Sequence, residues 1–263
     1  MDRVLAYGRP ADSERSETAE LEFAPLYGGD FADEAWIIGN GPSLAKIDLN
    51  LLCDRVTYGM QRIHLMYDKF RWRPTYYFMY DRSRPRQPQQ WKEDLAFHSQ
   101  QGYPCYIRAD FAVDLWEKFD KTKINFDNVV FVPCCEHVQG NDHVDAPGKP
   151  TEWHLPVICK YGGSAFAAIQ MAVMRGARRI FLLGCDLGYG DAATVNHFSR
   201  DYLPPDSYDI RMARVTNRTM EDAHRIAKME CNKRGIQLIN ATPGGHLNVH
   251  PRRDFQKCLN GLR

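Results

Sequence analysis

The stretch Trp36-Ile37-Ile38-Gly39-Asn40-Gly41-Pro42-Ser43-Leu44 decides how this chain is read. Three apolar residues run into Gly-Asn-Gly-Pro-Ser, the pattern of a buried strand that ends in a tight turn. Ser43 stands where a helix N-cap is wanted, ahead of Leu44, Ile47, Leu51 and Leu52 at helical spacing. Strand, glycine turn and helix N-terminus would place bare N–H groups and a positive dipole end at one point, which suits a phosphate or pyrophosphate. Gly39 and Gly41 would let a ligand approach the backbone closely. The competing reading is a turn that uses glycine and serine for its own geometry. The stretch is not a Walker A loop, because no Lys-Ser or Lys-Thr follows. Nor is it G-x-G-x-x-G, because Leu44 takes the third glycine position.

Outward from this unit, strand and helix patterns alternate. Strands are expected at 35–39, 56–60, 75–80, 104–108, 129–132, 179–184 and 236–240, and helices at 43–52, 91–100, 111–119, 164–175 and 220–233. The run Arg179-Ile180-Phe181-Leu182-Leu183-Gly184 is nearly all apolar in its middle, as a strand buried on both faces should be. The helix before it carries Ala165, Ala168, Ile169, Ala172 and Val173 at helical spacing and stops at Gly176. Residues 82–90 are a basic, proline-containing loop, and 133–158 read as a long loop. Residues 185–212 form a polar loop rich in Asp, Tyr and Pro, long enough to be an active-site lid. The expected organisation is an N-terminal arm (1–33), one domain (34–245) and a C-terminal tail (246–263). Alternating strands and helices predict an α/β fold with a mostly parallel sheet and helices on both faces.

The bulk numbers agree with one such domain: 263 residues, 44% of them hydrophobic and 25% charged. A net charge of +1 gives no basis for coating nucleic acid. The start MDRVLAYGRPADSERSE has no apolar signal region, and no apolar run reaches the roughly 18 residues of a membrane span. The eight cysteines are scattered without a C-x-x-C pair, so reduced thiols in a cytoplasm are expected. Cys134-Cys135-Glu136-His137 with His143 is set aside as a zinc site, because adjacent cysteines ligate one tetrahedral metal poorly.

Ligands of open parallel sheets sit outside the carboxyl ends of the strands. The polar residues just past those ends are 39–43, Gln61, Asp81, 185–189 and 240–245. They come from five separate stretches that the topology would gather at one edge.

These residues also carry a family resemblance. The block Ile37-Ile38-Gly39-Asn40-Gly41-Pro42-Ser43-Leu44 resembles the opening motif of the bacterial sialyltransferase family that contains the Campylobacter lipooligosaccharide enzymes. It is similar as well to the domain-of-unknown-function 115 proteins, which include the archaeal 6-hydroxymethylpterin diphosphokinases. Gly162-Gly163-Ser164, the small-residue helix, Gly176, the run from Ile180 to Asp186, and Asn240-Ala241-Thr242-Pro243-Gly244-Gly245 fit in order over roughly 35–245. The resemblance implies a Rossmann-like nucleotide-binding fold whose glycine turn holds the phosphates and in which Asn40 contacts the sugar donor. After the second strand the chain has Met60-Gln61 where the family has Asn-Gln, after the Tyr-rich strand Asp81 where the family has Asn, and at the central helix, after Gly163, a matching serine, Ser164. The chain departs from the pattern at Tyr161, where the family has arginine, and near Arg218, where the sialyltransferases carry their catalytic histidine.

His197 is the natural substitute for that histidine: it lies in the lid loop and would take a proton from an acceptor hydroxyl at neutral pH. Otherwise it braces the loop. Asp186 would bind a ribose hydroxyl, orient a base or hold Mg²⁺; otherwise it caps a loop. Arg211, Arg214 and Arg218, with Lys228 beyond, would neutralise a leaving phosphate or form a solvated helix face. Tyr189 and Tyr202 flank His197 and would donate hydrogen bonds to that phosphate or simply pack. No Asp-x-Asp motif is present. Two enzyme readings follow. The first is a metal-independent glycosyltransferase that moves a sugar from a nucleotide-sugar donor to a hydroxyl acceptor. The second transfers diphosphate from ATP to a hydroxymethylpterin-like substrate, with Mg²⁺ on Asp81 and Asp186. A nucleotide-binding module without turnover is the third reading, and homo-oligomerisation is left open.

Overall fold

The computed structural model describes residues 32–80, 90–109, 111–112, 115, 119–132, 134–135, 153, 158–159, 162–190, 194–203 and 210–261. Seven strands form one sheet: β1 (Glu34–Ile38), β2 (Thr57–Met60), β3 (Tyr76–Met79), β4 (Cys105–Arg108), β5 (Val129–Val132), β8 (Arg179–Leu183) and β9 (Gln237–Asn240). Their order is β5-β4-β3-β2-β1-β8-β9, and every neighbouring pair is parallel. Trp36 of β1 is in register with Thr57 on one side and Phe181 on the other. The fold is a Rossmann-like α/β fold, as the strand–helix alternation predicts. The predicted strands are matched to within a residue or so, because they are short β-prone runs and several are bounded by Gly or Pro, as at Gly39, Pro133 and Gly184.

The opening strand shows why both faces of the sheet are covered. Its side chains alternate: Trp36 and Ile38 enter one core, Ala35 and Ile37 the other, and all four are buried. The first core is completed by Trp91 and Leu95 of helix α1 (Gln90–Ser99) and by Phe255 of α4 (Phe255–Leu259). There Trp36 stacks on Phe181 at 4.5 Å and meets Phe255 edge-on at 5.7 Å. The second core takes the alanine-rich helix α2 (Ser164–Met174) and Ala223 and Ala227 of α3 (Ile210–Lys233).

Three expectations are corrected. Residues 43–52 are not an α-helix but two short 3₁₀ turns, Pro42–Lys46 and Leu49–Leu52. Gly41, not Ser43, is the N-cap of the first. Ile47 is extended between the turns, and the Asp48 side chain caps the second by accepting from the Asn50 amide at 2.9 Å, so the apolar spacing never winds into one helix. Within 133–158 and just beyond it, β6 (Cys134–Cys135) and β7 (Ile158–Cys159) pair in parallel as a separate two-stranded sheet. Helix α3 begins at Ile210, ten residues before the predicted start, so the last three residues of the expected lid and the stretch 213–219 are helix. The C-terminal tail packs back on the sheet: Leu247, Phe255 and Cys258 are buried and Asn240 bridges to Arg252. Residues 1–31, Asp81 and the basic loop through 89 lie outside the described residues, as does most of the helix expected at 111–119. No helix among the described residues is long and apolar enough to cross a membrane.

Candidate functional site

Strand numbers run outward from β1 through β2 to β5 on one side and jump to β8 and β9 on the other. The gap between the carboxyl ends of β1 and β8 is therefore the point where the winding reverses, the place where open α/β sheets bind ligands. A cleft of about 680 Å³ opens there, within the roughly 300–1,000 Å³ of ligand sites. Its floor is Gly39, Asn40, Gly41 and Pro42 from β1 and 184–189 from β8. Gln61 and Tyr80 follow β2 and β3, Arg108 ends β4, and 162–165 lead into α2. Loop 194–203 and one face of α3 form the opposite wall.

The glycine turn is closed by the protein itself. The Gly39 amide donates to Leu183 O at 2.7 Å and the Gly41 amide to Gly184 O at 2.8 Å. The Ser43 hydroxyl donates to Asp186 Oδ2 at 2.7 Å, and the Ser43 amide lies 3.3 Å from both carboxylate oxygens. The carboxylate thus sits where an anion was expected at the start of the first turn. A Cβ on Gly39 would stand 2.5 Å from Gly184 O, and one on Gly41 would overlap Asp186 Oδ2. These glycines let the two strand ends touch one another. Of the predicted phosphate cradle at 39–43, Gly39, Asn40, Gly41 and Pro42 line the cleft and Ser43 does not, and three of the amides are already satisfied within the protein. Asp186 does line it and is 7% exposed. Burial pushes its carboxyl above the usual carboxylate range, against the opposing pull of the Ser43 hydrogen bonds.

Other predicted residues do converge. Asn40 donates from Nδ2 to Met60 O at 3.0 Å and to the Tyr202 hydroxyl at 2.9 Å, while its main-chain carbonyl accepts from the Phe198 amide at 3.1 Å. These bonds hold loop 194–203 onto the turn. His197 is 9% exposed, stacks on Tyr202 at 3.9 Å and meets Tyr189 at 5.7 Å. Ser164 Oγ accepts from Gln61 Nε2 at 2.9 Å and from the Tyr80 amide at 3.1 Å, so its own proton is left to donate. Gln61 adopts φ +51°, a left-handed conformation unusual for its residue type. Its carbonyl is held by the Tyr77 hydroxyl at 2.9 Å. Gly163 needs its φ of +85°, and a Cβ there would meet only open space.

Arg211, Arg214 and Arg218 are not brought to the site. All three are exposed on α3 and do not line the cleft. The face of α3 that does so carries Val215, Thr216, Thr219, Met220 and His224, at helical spacing. Of the last predicted stretch, Gly245 reaches the cleft whereas Asn240 is buried, bracing the turn through Leu247 O at 2.9 Å and the Thr242 amide at 3.0 Å. Sequence reasoning missed Arg108, His224 and His246, all of which line the cleft. Arg108 is the last residue of β4 and His246 directly follows the 240–245 stretch singled out after β9, a signal that was available. His224 lies mid-helix and is placed only by packing. No protein-family model, curated protein or solved structure matches this chain.

Proposed function

We propose that the cleft binds a nucleotide-activated donor and that the protein is a transferase, most simply a metal-independent glycosyltransferase. The observation that carries this reading is the chemistry of the wall. Arg108, Ser164, Thr216, Thr219 and His246 supply hydrogen-bond donors, while the one carboxylate among the described lining residues, Asp186, is held by Ser43. Such a wall suits a ligand rich in acceptor oxygens, as a phosphodiester or diphosphate is. With three of the 39–43 amides occupied, the phosphates belong nearer Arg108 and the start of α2, where Gly163 leaves open space and no side chain caps the helix.

In the proposed step the acceptor hydroxyl attacks the anomeric carbon and its proton passes to His197. The bond from that carbon to the phosphate oxygen breaks, and the nucleotide leaves with the electron pair. Tyr202 holds the His197 ring by stacking, and loop 194–203 keeps water from the activated sugar. Replacing His197 by Ala is expected to cut turnover about 10²–10⁴-fold with little change in nucleotide affinity. Unchanged turnover would remove His197 from the step. The diphosphokinase alternative requires Asp186 to leave Ser43 before it can hold Mg²⁺.

A thermal-shift panel of CMP, UDP, GDP, ADP and ATP, each with and without Mg²⁺, tests the reading. Ligand at about 100 times its Kd adds roughly 2.7 kcal/mol, which a melting curve resolves. A metal-independent shift with CMP, UDP or GDP is expected. A shift with ATP and Mg²⁺ alone would favour diphosphate transfer, and no shift at all would remove nucleotide binding.

A further inference from the structure

His224 reaches the cleft from the middle of α3 while being only 5% exposed. Its Nδ1 lies 3.0 Å from Nε2 of His250, and the two rings meet edge to face at 5.1 Å. His250 follows β9 and is 3% exposed. Its other nitrogen, Nδ1, is enclosed and has no hydrogen-bond partner among the described residues.

Two ring nitrogens at hydrogen-bond distance share one proton, so one donates and the other accepts. If His224 Nδ1 carried the proton, neutral His250 would have to place its own on the enclosed Nδ1, as a buried N–H with no acceptor. Orphaned buried N–H groups are rare and cost more than a lone pair left bare. The other tautomer avoids this: His250 Nε2–H donates to His224 Nδ1, and His250 Nδ1 stays unprotonated. With its Nδ1 accepting, neutral His224 must carry its proton on Nε2, the nitrogen left for the cleft.

We infer that His224 presents a neutral Nε2–H to the cleft as a hydrogen-bond donor for a phosphoryl oxygen, with His250 as the positioning residue that fixes its tautomer. The ligand half of this assignment rests on the proposed phosphate-bearing ligand; the tautomer half stands on the two rings alone. The environment keeps the donor neutral. Burial draws the His224 pKa down to about 4. Burial chiefly opposes protonation of His250, with His224 and then Lys228, whose Nζ donates to Val249 O at 2.7 Å, adding to it. A neutral imidazole N–H polarises a ligand oxygen without being lost as a proton, which separates this role from that of His197 as base.

Long-range ¹⁵N–¹H spectra of the full chain labelled in histidine test the tautomer, with signals assigned from His224→Gln and His250→Gln. The expected ligand-free spectrum at about pH 7 shows His224 protonated on Nε2 alone. A proton on Nδ1, or on both nitrogens, overturns the assignment. Inorganic pyrophosphate is then the probe. It should move the His224 Nε2–H signal. His224→Gln, whose amide still donates but takes no proton, should keep pyrophosphate affinity within about threefold, while His224→Leu loses about tenfold or more. Equal binding by wild type and both variants overturns the ligand role. No binding to the wild type removes the phosphate reading of the cleft, and the ligand role with it, whereas the ligand-free spectrum still decides the tautomer.

Discussion

Gly39 and Asp186 solve one packing problem from opposite sides. The ends of β1 and β8 approach so closely that the Gly39 and Gly41 amides bond directly to the carbonyls of Leu183 and Gly184. Asp186 then closes the junction by accepting from the Ser43 hydroxyl at 2.7 Å. Gly39→Ala would bring a Cβ to 2.5 Å from Gly184 O, a backbone atom that cannot rotate away. It is expected to destabilise by about 1–3 kcal/mol, read as a lower urea midpoint at unchanged slope. The same junction separates charge from hydrogen bonding at Asp186. Asp186→Ala leaves the Ser43 hydroxyl and amide without their acceptor and should cost about 1–3 kcal/mol. Asp186→Asn keeps an acceptor oxygen, and burial already disfavours the ionised form, so less than about 1 kcal/mol is expected. Equal losses for the two variants would mean that the charge itself holds the junction.

Helix α3 is the element that converts a generic sheet edge into a cleft. One of its faces covers the sheet through Ala223 and Ala227 and another lines the cleft through Thr216, Thr219 and His224. Its Asn217 reaches back to the loop after β8: Oδ1 accepts from the Gly188 amide at 3.0 Å and the Tyr189 amide at 2.7 Å, and Nδ2 donates to Tyr189 O at 2.8 Å. Asn217→Ala removes all three bonds at once. Amide exchange at Gly188 and Tyr189 should accelerate by about tenfold or more, with β1 and β8 protected as before. Unchanged exchange would mean that the loop is held by other contacts. This clamp was hidden in the sequence because the first turns of α3 read Ile-Arg-Met-Ala-Arg-Val-Thr-Asn-Arg-Thr, in which polar and β-branched residues blur the helical period. The strands were legible for the opposite reason: runs such as Arg179–Leu183 are apolar on both faces and closed by glycine.

At the scale of the whole molecule, the sheet edge that carries the cleft was readable because parallel topology gathers strand ends whatever the side chains do. Which groups at that edge are spent internally was not readable, since the Ser43–Asp186 contact spans 143 positions and the His224–His250 contact joins α3 to the chain after β9. The second contact has a global consequence. Burial lowers the His224 pKa from 6.5 to about 4, and His250 is drawn lower still by burial and by its neighbours. A depressed folded-state pKa gives stability that is present above the unfolded value near 6.5 and is lost as pH falls towards the folded one. His224 alone then accounts for about 3 kcal/mol across that window, at roughly 1.4 kcal/mol per pH unit once the unfolded state is protonated. Asp186, whose carboxyl is raised by burial, acts in the opposite sense: its contribution is present at low pH and is lost as pH rises through its folded value. The stability read from urea unfolding between about pH 7.5 and pH 5 should therefore fall further for the wild type than for the His224→Gln/His250→Gln double variant, by roughly 4 kcal/mol over the range, about 2 kcal/mol from each imidazole. Parallel curves would mean that the two imidazoles take up protons in the folded protein as readily as in the unfolded chain, and that the pair is not held neutral.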